Sequence, residues 1–146
     1  MTQIHWSEFN PGRRCLGRLP HKQDLLTAIA DFCQAAAIQQ AVFAVTGVVA
    51  SVTLGTYDQD QQVYVTHKEE TPFQIVTCTG NVSQQDGKLC VQAHSVLAAE
   101  KGNLVGGQIF SETILWGGEL DLQELNGNPL ERAYDPETGL WLWKIP

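Results

Sequence analysis

The clearest hydrophobic pattern in the chain is a single helical stripe. Between residues 23 and 37, Leu25, Ile29, Phe32 and Ala36 recur at i, i+4, i+7 and i+11, and Leu26 and Cys33 widen the stripe. Pro20 stands just outside the start, Asp24 suits the positive first turn, and the alanines raise helix propensity. This pattern predicts one amphipathic helix covering a sheet.

After the helix the pattern changes to strands. The run AVFAVTGVVA at 41–50 is almost continuously apolar, which predicts a central strand buried on both faces, and 51–57 continues it past a bend. The polar DQDQQ at 58–62 is a turn, and 63–67 returns. Further strands follow at 72–82, 89–97, 104–110 and 113–125, with a last pair at 130–134 and 140–144. Strands succeeding one another without helices between them predict an α+β fold with a mainly antiparallel sheet.

One hairpin is specified in register. Asp86-Gly87 fits a type I′ turn, so paired residues have numbers that sum to 173. One side then carries Val82–Val91, Gly80–Ala93 and Cys78–Ser95. The other carries Asn81–Gln92, Thr79–His94 and Ser83–Cys90, a polar face that either meets water or lines a shared cleft. Gly106-Gly107 implies a bulge or close backbone approach on its strand, and Gly117-Gly118 could do the same. Gly106-Gly107-Gln108 matches the catalytic tripeptide of peptide-release factors, but an apolar strand is the wrong setting for an exposed catalytic loop. Trp141 and Trp143, alternating with Leu140 and Leu142, predict a buried segment, in the core or against a neighbouring subunit.

Composition narrows the function classes. The 146 residues carry 9 Lys+Arg against 16 Asp+Glu, a net charge of −7, which disfavours a phosphate-binding nucleic-acid protein. Charge is uneven: Arg13, Arg14, Arg18 and Lys22 outnumber Glu8 near the start, whereas acids dominate after Gly102. The arginine cluster suits a solvated surface or intersubunit ion pairs better than phosphates. No apolar run is long enough to span a bilayer and no signal-peptide order is visible, so a cytoplasmic location is expected. Four cysteines, Cys15, Cys33, Cys78 and Cys90, lack CxxC spacing and are expected to act as small buried residues. No GxSxG, Walker, GxGxxG or HExxH motif occurs.

The segments LPHKQDLLTAIADF, VTGVVASVTLG, CTGNVSQQDGKLCVQAHSVLAAEKGNLVGGQIF and ELNGNPLERAYDPETGL occur in this order. Together they resemble the plant- and prokaryote-conserved (PPC) domain, also described as having a PD1-like DNA-binding motif. The resemblance implies one PPC-type domain over 13–146 after an N-terminal extension at 1–12. It also implies a fold similar to acetolactate decarboxylase, homotrimeric assembly, protein contacts, and a DNA-binding label. Many prokaryotic members carry HxH on one strand and GGH on the next. Here these become Gln92-Ala93-His94 and Gly106-Gly107-Gln108, so one imidazole of three remains.

Because catalytic zinc sites use three imidazole, thiolate or carboxylate ligands, these replacements predict a decayed metal site with no cofactor. What remains would be a pocket of Gln92, His94 and Gln108, with Thr79 and Asn81 beside them. The expected function is a non-enzymatic, homotrimeric binding or scaffolding protein that takes a protein partner or small ligand. The alternatives are a zinc-dependent lyase or hydrolase using His94 with Cys90, and a small-ligand-binding regulator.

Overall fold

The computed structural model describes residues 3–145. The elements run β1 (Asn10–Leu19), α1 (Leu25–Ala35), β2 (Ala41–Asp58), β3 (Val63–Glu69), β4 (Phe73–Gln85) and β5 (Lys88–Ala98). They continue with β6 (Leu104–Ile109), β7 (Ile114–Asn126), β8 (Arg132–Asp135) and β9 (Leu140–Trp143). The strands pair antiparallel in the order β1-β7-β2-β4-β5-β6, with β3 added on β2; β8 and β9 form a separate ribbon. The expected α+β architecture with one helix is therefore present.

The long strand β2 organises the sheet. Its first half lies between β4 and β7, and its second half pairs with β3 and β6. The path β2-β4-β5-β6 thus returns to β2 and closes on itself. Closure requires β2 to bend, and the register shifts against β4 between Ala44 and Gly47. Gly47 has φ 136° and stands opposite Gly118 on β7, so close that a Cβ there would collide with the Gly117 carbonyl. At the second closure point, a Cβ on Gly107 (φ 155°) would sit 2.7 Å from the Gly55 carbonyl oxygen. Both glycine pairs thus permit close backbone approach.

The core lies between α1 and the buried face of the sheet. Leu25, Ala28, Ile29 and Cys33 form the buried helix face, against Val45, Val49, Leu54, Leu97 and Leu122. The stripe is rotated slightly from the expected one: Phe32 sits at its rim, 37% exposed. Asp24 is the N-cap. One oxygen accepts from Thr27 N at 3.0 Å and the other from Thr113 N at 3.0 Å, so the cap also ties the helix to the approach of β7.

Several expectations are corrected. The run at 41–50 and its continuation form one strand, and its first half is buried on one face only; Val42 and Val48 remain exposed. Residues 10–19, read only as a basic segment, form edge strand β1. Its side chains are almost all exposed, so no apolar alternation announced it. Arg13 and Arg14 make ion pairs within the chain: Arg13 Nε lies 2.9 Å from Glu124, and Arg14 Nε 2.6 Å from Asp121. Trp141, Leu142 and Trp143 are exposed rather than buried in the core. Of the cysteines, Cys33 and Cys78 are buried, whereas Cys15 and Cys90 are half-buried.

Candidate functional site

The β4–β5 hairpin has the register that its Asp86-Gly87 turn predicts, with Val82 opposite Val91, Asn81 opposite Gln92 and Thr79 opposite His94. Both turn residues have positive φ, 52° and 75°. Beyond it, His94 stands opposite Gln108 on β6, and Gln108 opposite Gly55 on β2. On the other side Thr79 faces Ala44, which faces Asp121 on β7. One row of the outer sheet face therefore reads Asp121, Ala44, Thr79, His94, Gln108. Directly opposite side chains have Cβ atoms about 5 Å apart, so Thr79, His94 and Gln108 share one site. Gln92 lies two residues along β5, past the end of the β6 pairing and beside Asn81.

Two clefts open from this row and meet at Thr79 and His94. One, of about 480 Å³, runs toward Gln108, Tyr57 and Tyr64. The other, of about 550 Å³, runs toward Asn81, Trp143 and the Arg14–Asp121 pair. The side chains of Thr79, Gln92, His94 and Gln108 have no hydrogen-bond partner within the chain among the described residues. Thr79, His94 and Gln108 thus converge on concave surface with their hydrogen-bonding capacity unused, whereas Gln92, grouped with them in the sequence, lines neither cleft.

Asn81 is differently placed. Its Oδ1 accepts from Arg132 Nη2 at 2.9 Å, while Arg132 Nη1 donates to the Trp141 carbonyl at 2.9 Å. The Arg132 guanidinium lies 5.1 Å from the centre of the Trp143 ring, and Trp143 Nε1 donates to Ser83 Oγ at 3.2 Å. The β8–β9 ribbon is thereby fastened over Asn81 and Ser83, the polar end of the hairpin. Burial lowers the pKa of Arg132, opposed by the neighbouring Cys90 thiol. Burial raises that of Cys90, opposed by Arg132. Nothing local in the sequence marked Arg132, Trp143, Tyr57 or Tyr64 as cleft neighbours, because they come from other strands.

The donor set does not fit zinc. Cys90 and His94 share a face, but at roughly 3.3 Å per residue they lie about 13 Å apart along β5, too far for one ion. Beside His94 stand only amides and hydroxyls. Among the described residues, no group of three His, Cys, Asp or Glu side chains could hold a metal. Nor is a serine poised against His94. Ser95 lies on the opposite face and donates to the Thr77 carbonyl, whereas Ser83 accepts from Trp143. The Gly106-Gly107-Gln108 tripeptide lies within β6, not in a loop.

The structure is similar to a metal-containing protein of Archaeoglobus fulgidus, with 34% identity, a TM-score of 0.91, and coverage of 98% of this chain and 99% of that one. It is also similar to a plant- and prokaryote-conserved protein of Pyrococcus horikoshii, at 30% identity and a TM-score of 0.90, again covering 98% and 99%. A Bacteroides thetaiotaomicron protein whose name suggests DNA binding matches at 17% identity and a TM-score of 0.82, covering 94% and 97%. Acetolactate decarboxylase of Bacillus subtilis shares the fold more distantly, at 13% identity and a TM-score of 0.54, with 89% of this chain and 59% of that one covered. No curated protein sequence matches the chain. The model of the Plants and Prokaryotes Conserved (PCC) domain matches residues 6–126. Sequence, fold and the order of its motifs thus agree, and the chain belongs to the Plants and Prokaryotes Conserved domain family.

Proposed function

We propose that the chain is a homotrimeric, non-enzymatic binding module whose working surface is the cleft around His94, and that it works without a metal. The observation that carries this reading is the row Thr79, His94, Gln108. One imidazole stands between a hydroxyl and an amide, all three unengaged and open to a cleft. Such groups can recognise a ligand by hydrogen bonds, but they provide neither an ion-binding set nor an activated nucleophile. Self-association is supported by apolar side chains that a single chain leaves exposed, among them Leu16 at 76%, Val76 at 57% and Trp116 at 56%.

Although solved structures of similar fold are named for DNA binding, duplex DNA is a poor partner here. The net charge is −7, and Arg13 and Arg14 are already paired with carboxylates. Among the described residues, no helix is long and apolar enough to cross a membrane.

The Archaeoglobus fulgidus protein is named only as metal-containing, which favours a second reading in which this chain also holds a metal near His94; the zinc-dependent lyase or hydrolase is the enzymatic form of that reading. Sedimentation equilibrium, with elemental analysis of protein purified without chelator, separates the two. Trimers with far less than one zinc per chain support a binding module. Zinc near one equivalent per chain, lost in His94→Ala, overturns the metal-free reading, and monomers at micromolar concentration overturn the trimer. A mobility shift with random duplex at low salt tests the third element; tight, salt-sensitive binding contradicts the charge argument.

A further inference from the structure

Resting on the reading of the His94 cleft as the working surface, we propose that its ligand is a neutral sugar of about two rings, held between aromatic walls on a floor of uncharged hydrogen-bonding groups. The first support is charge. In the cleft toward Gln108, the ionisable lining side chains are His94, Tyr57 and Tyr64, with no carboxylate, lysine or arginine. In the adjoining cleft, Arg14 and Asp121 are joined by two hydrogen bonds, 2.6 and 2.7 Å, and cancel each other. Arg132, which has no carboxylate partner, is buried behind Asn81 and Trp143 and lines neither cleft, so a phosphate or carboxylate ligand would find no accessible unpaired cation in the lining and would approach a chain of charge −7.

The second support is the floor. Thr79, His94 and Gln108 retain donors and acceptors that a purely apolar ligand would cover and leave unmet, at a cost of about 1–3 kcal/mol for each buried group. Backbone groups there are engaged in the β4–β5–β6 ladder, so a peptide cannot add as an extra strand at this place. A ligand with many hydroxyls satisfies such a floor from its own edges.

The walls supply the third. Tyr57 donates its hydroxyl to the Thr138 carbonyl, and Trp143 donates its Nε1 hydrogen to Ser83. With their polar tips engaged, both rings are held in place and offer chiefly ring surface. Tyr64 stands against both Tyr57 and Phe110, with ring centres 5.0 and 5.4 Å away. An aromatic face is negative and the C–H face of a pyranose weakly positive, so the two attract while hydrophobic area is buried. The row from Gln108 to Thr79 spans two strand spacings, roughly 10 Å, which suits a disaccharide.

The test is an amide-proton NMR titration of the full-length protein with maltose, cellobiose, lactose and diacetylchitobiose, with glucose 6-phosphate as the charged control. At least one neutral disaccharide is expected to shift the side-chain amide of Gln108 and the indole of Trp143, saturably and more tightly than the phosphate. Gln108→Leu should weaken that binding at least tenfold, and Thr79→Val serves if the first variant does not fold. No shift with any of the four, shifts mapping elsewhere, or tighter binding of the phosphate overturns the proposal. A zinc-free trimer that binds no disaccharide would sink this inference and leave the binding-module reading intact.

Discussion

Arg132 reaches from β8 to donate a hydrogen bond of 2.9 Å to Asn81 on β4, across 51 residues of chain. No carboxylate is among the groups that influence Arg132, so an amide oxygen, a carbonyl, the Cys90 thiol and the Trp143 ring hold a largely buried charge. Asn81→Ala should therefore leave a buried guanidinium N–H unmet and cost about 2 kcal/mol. Arg132→Met, which removes the charge together with its need for partners, should cost less. Urea denaturation of the two variants at equal protein concentration checks the order; Arg132→Met as the more damaging change would refute it.

The acid limb of stability should trace largely to Glu124. Arg13 holds that carboxyl down through a side-chain hydrogen bond and its backbone N–H, lowering its pKa from 4.5 to about 2. Because the folded value is depressed, the stabilisation is complete above pH 4.5 and is lost as pH falls toward 2. Glu124→Gln should flatten the stability profile over that window while leaving the slope above pH 5 unchanged, as followed by denaturant midpoints.

Asp24 has two structural tasks, capping α1 and accepting from Thr113 N. Asp24→Ala should destabilise the fold by about 2 kcal/mol, a Tm decrease of roughly 4–8 °C. Asp24→Asn, which keeps one oxygen, should retain part of this. Calorimetry at fixed concentration measures both, and equal melting of the alanine variant and wild type would refute the double role.

Gly107→Ala tests the closure between β6 and β2. The added Cβ would meet the Gly55 carbonyl oxygen at 2.7 Å, where φ is 155°. Backbone atoms cannot move aside cheaply, so a loss of more than about 2 kcal/mol is expected. Gly17→Ala, where a Cβ meets nothing within 4 Å, is the control and should melt near wild type.

Thiol reactivity should separate the cysteines. Burial pushes Cys33 and Cys78 to about 11, so neither is a nucleophile at neutral pH. Maleimide should modify these two only after unfolding in guanidinium, and mass spectrometry of the labelled peptides would detect any earlier reaction.

Much of the site was legible because local chemistry fixed it. The Asp86-Gly87 turn allows one two-residue geometry, and that geometry set every pair from Ser83–Cys90 to Cys78–Ser95. The helix was equally clear, since Leu25, Ile29 and Cys33 repeat at its period. By contrast β1 was invisible: its side chains are exposed, and its place depends on backbone bonds to β7 and on Arg13 and Arg14 meeting Glu124 and Asp121. The run at 41–50 was misjudged for a related reason. Apolar content reports what a strand can bury, whereas Val42 and Val48 lie on a face that this chain alone leaves open.

The sequence by itself determined the helix, the hairpin register and the amides at Gln92 and Gln108, because periodicity, turn geometry and residue identity act within a few residues. Only the tertiary structure decided that β2 would bend to meet β6, that Gln108 would stand beside His94, and that Trp143 and Tyr64 would flank them. Those relations join residues distant in the chain, and their energy comes from backbone pairing and packing that no short segment can express.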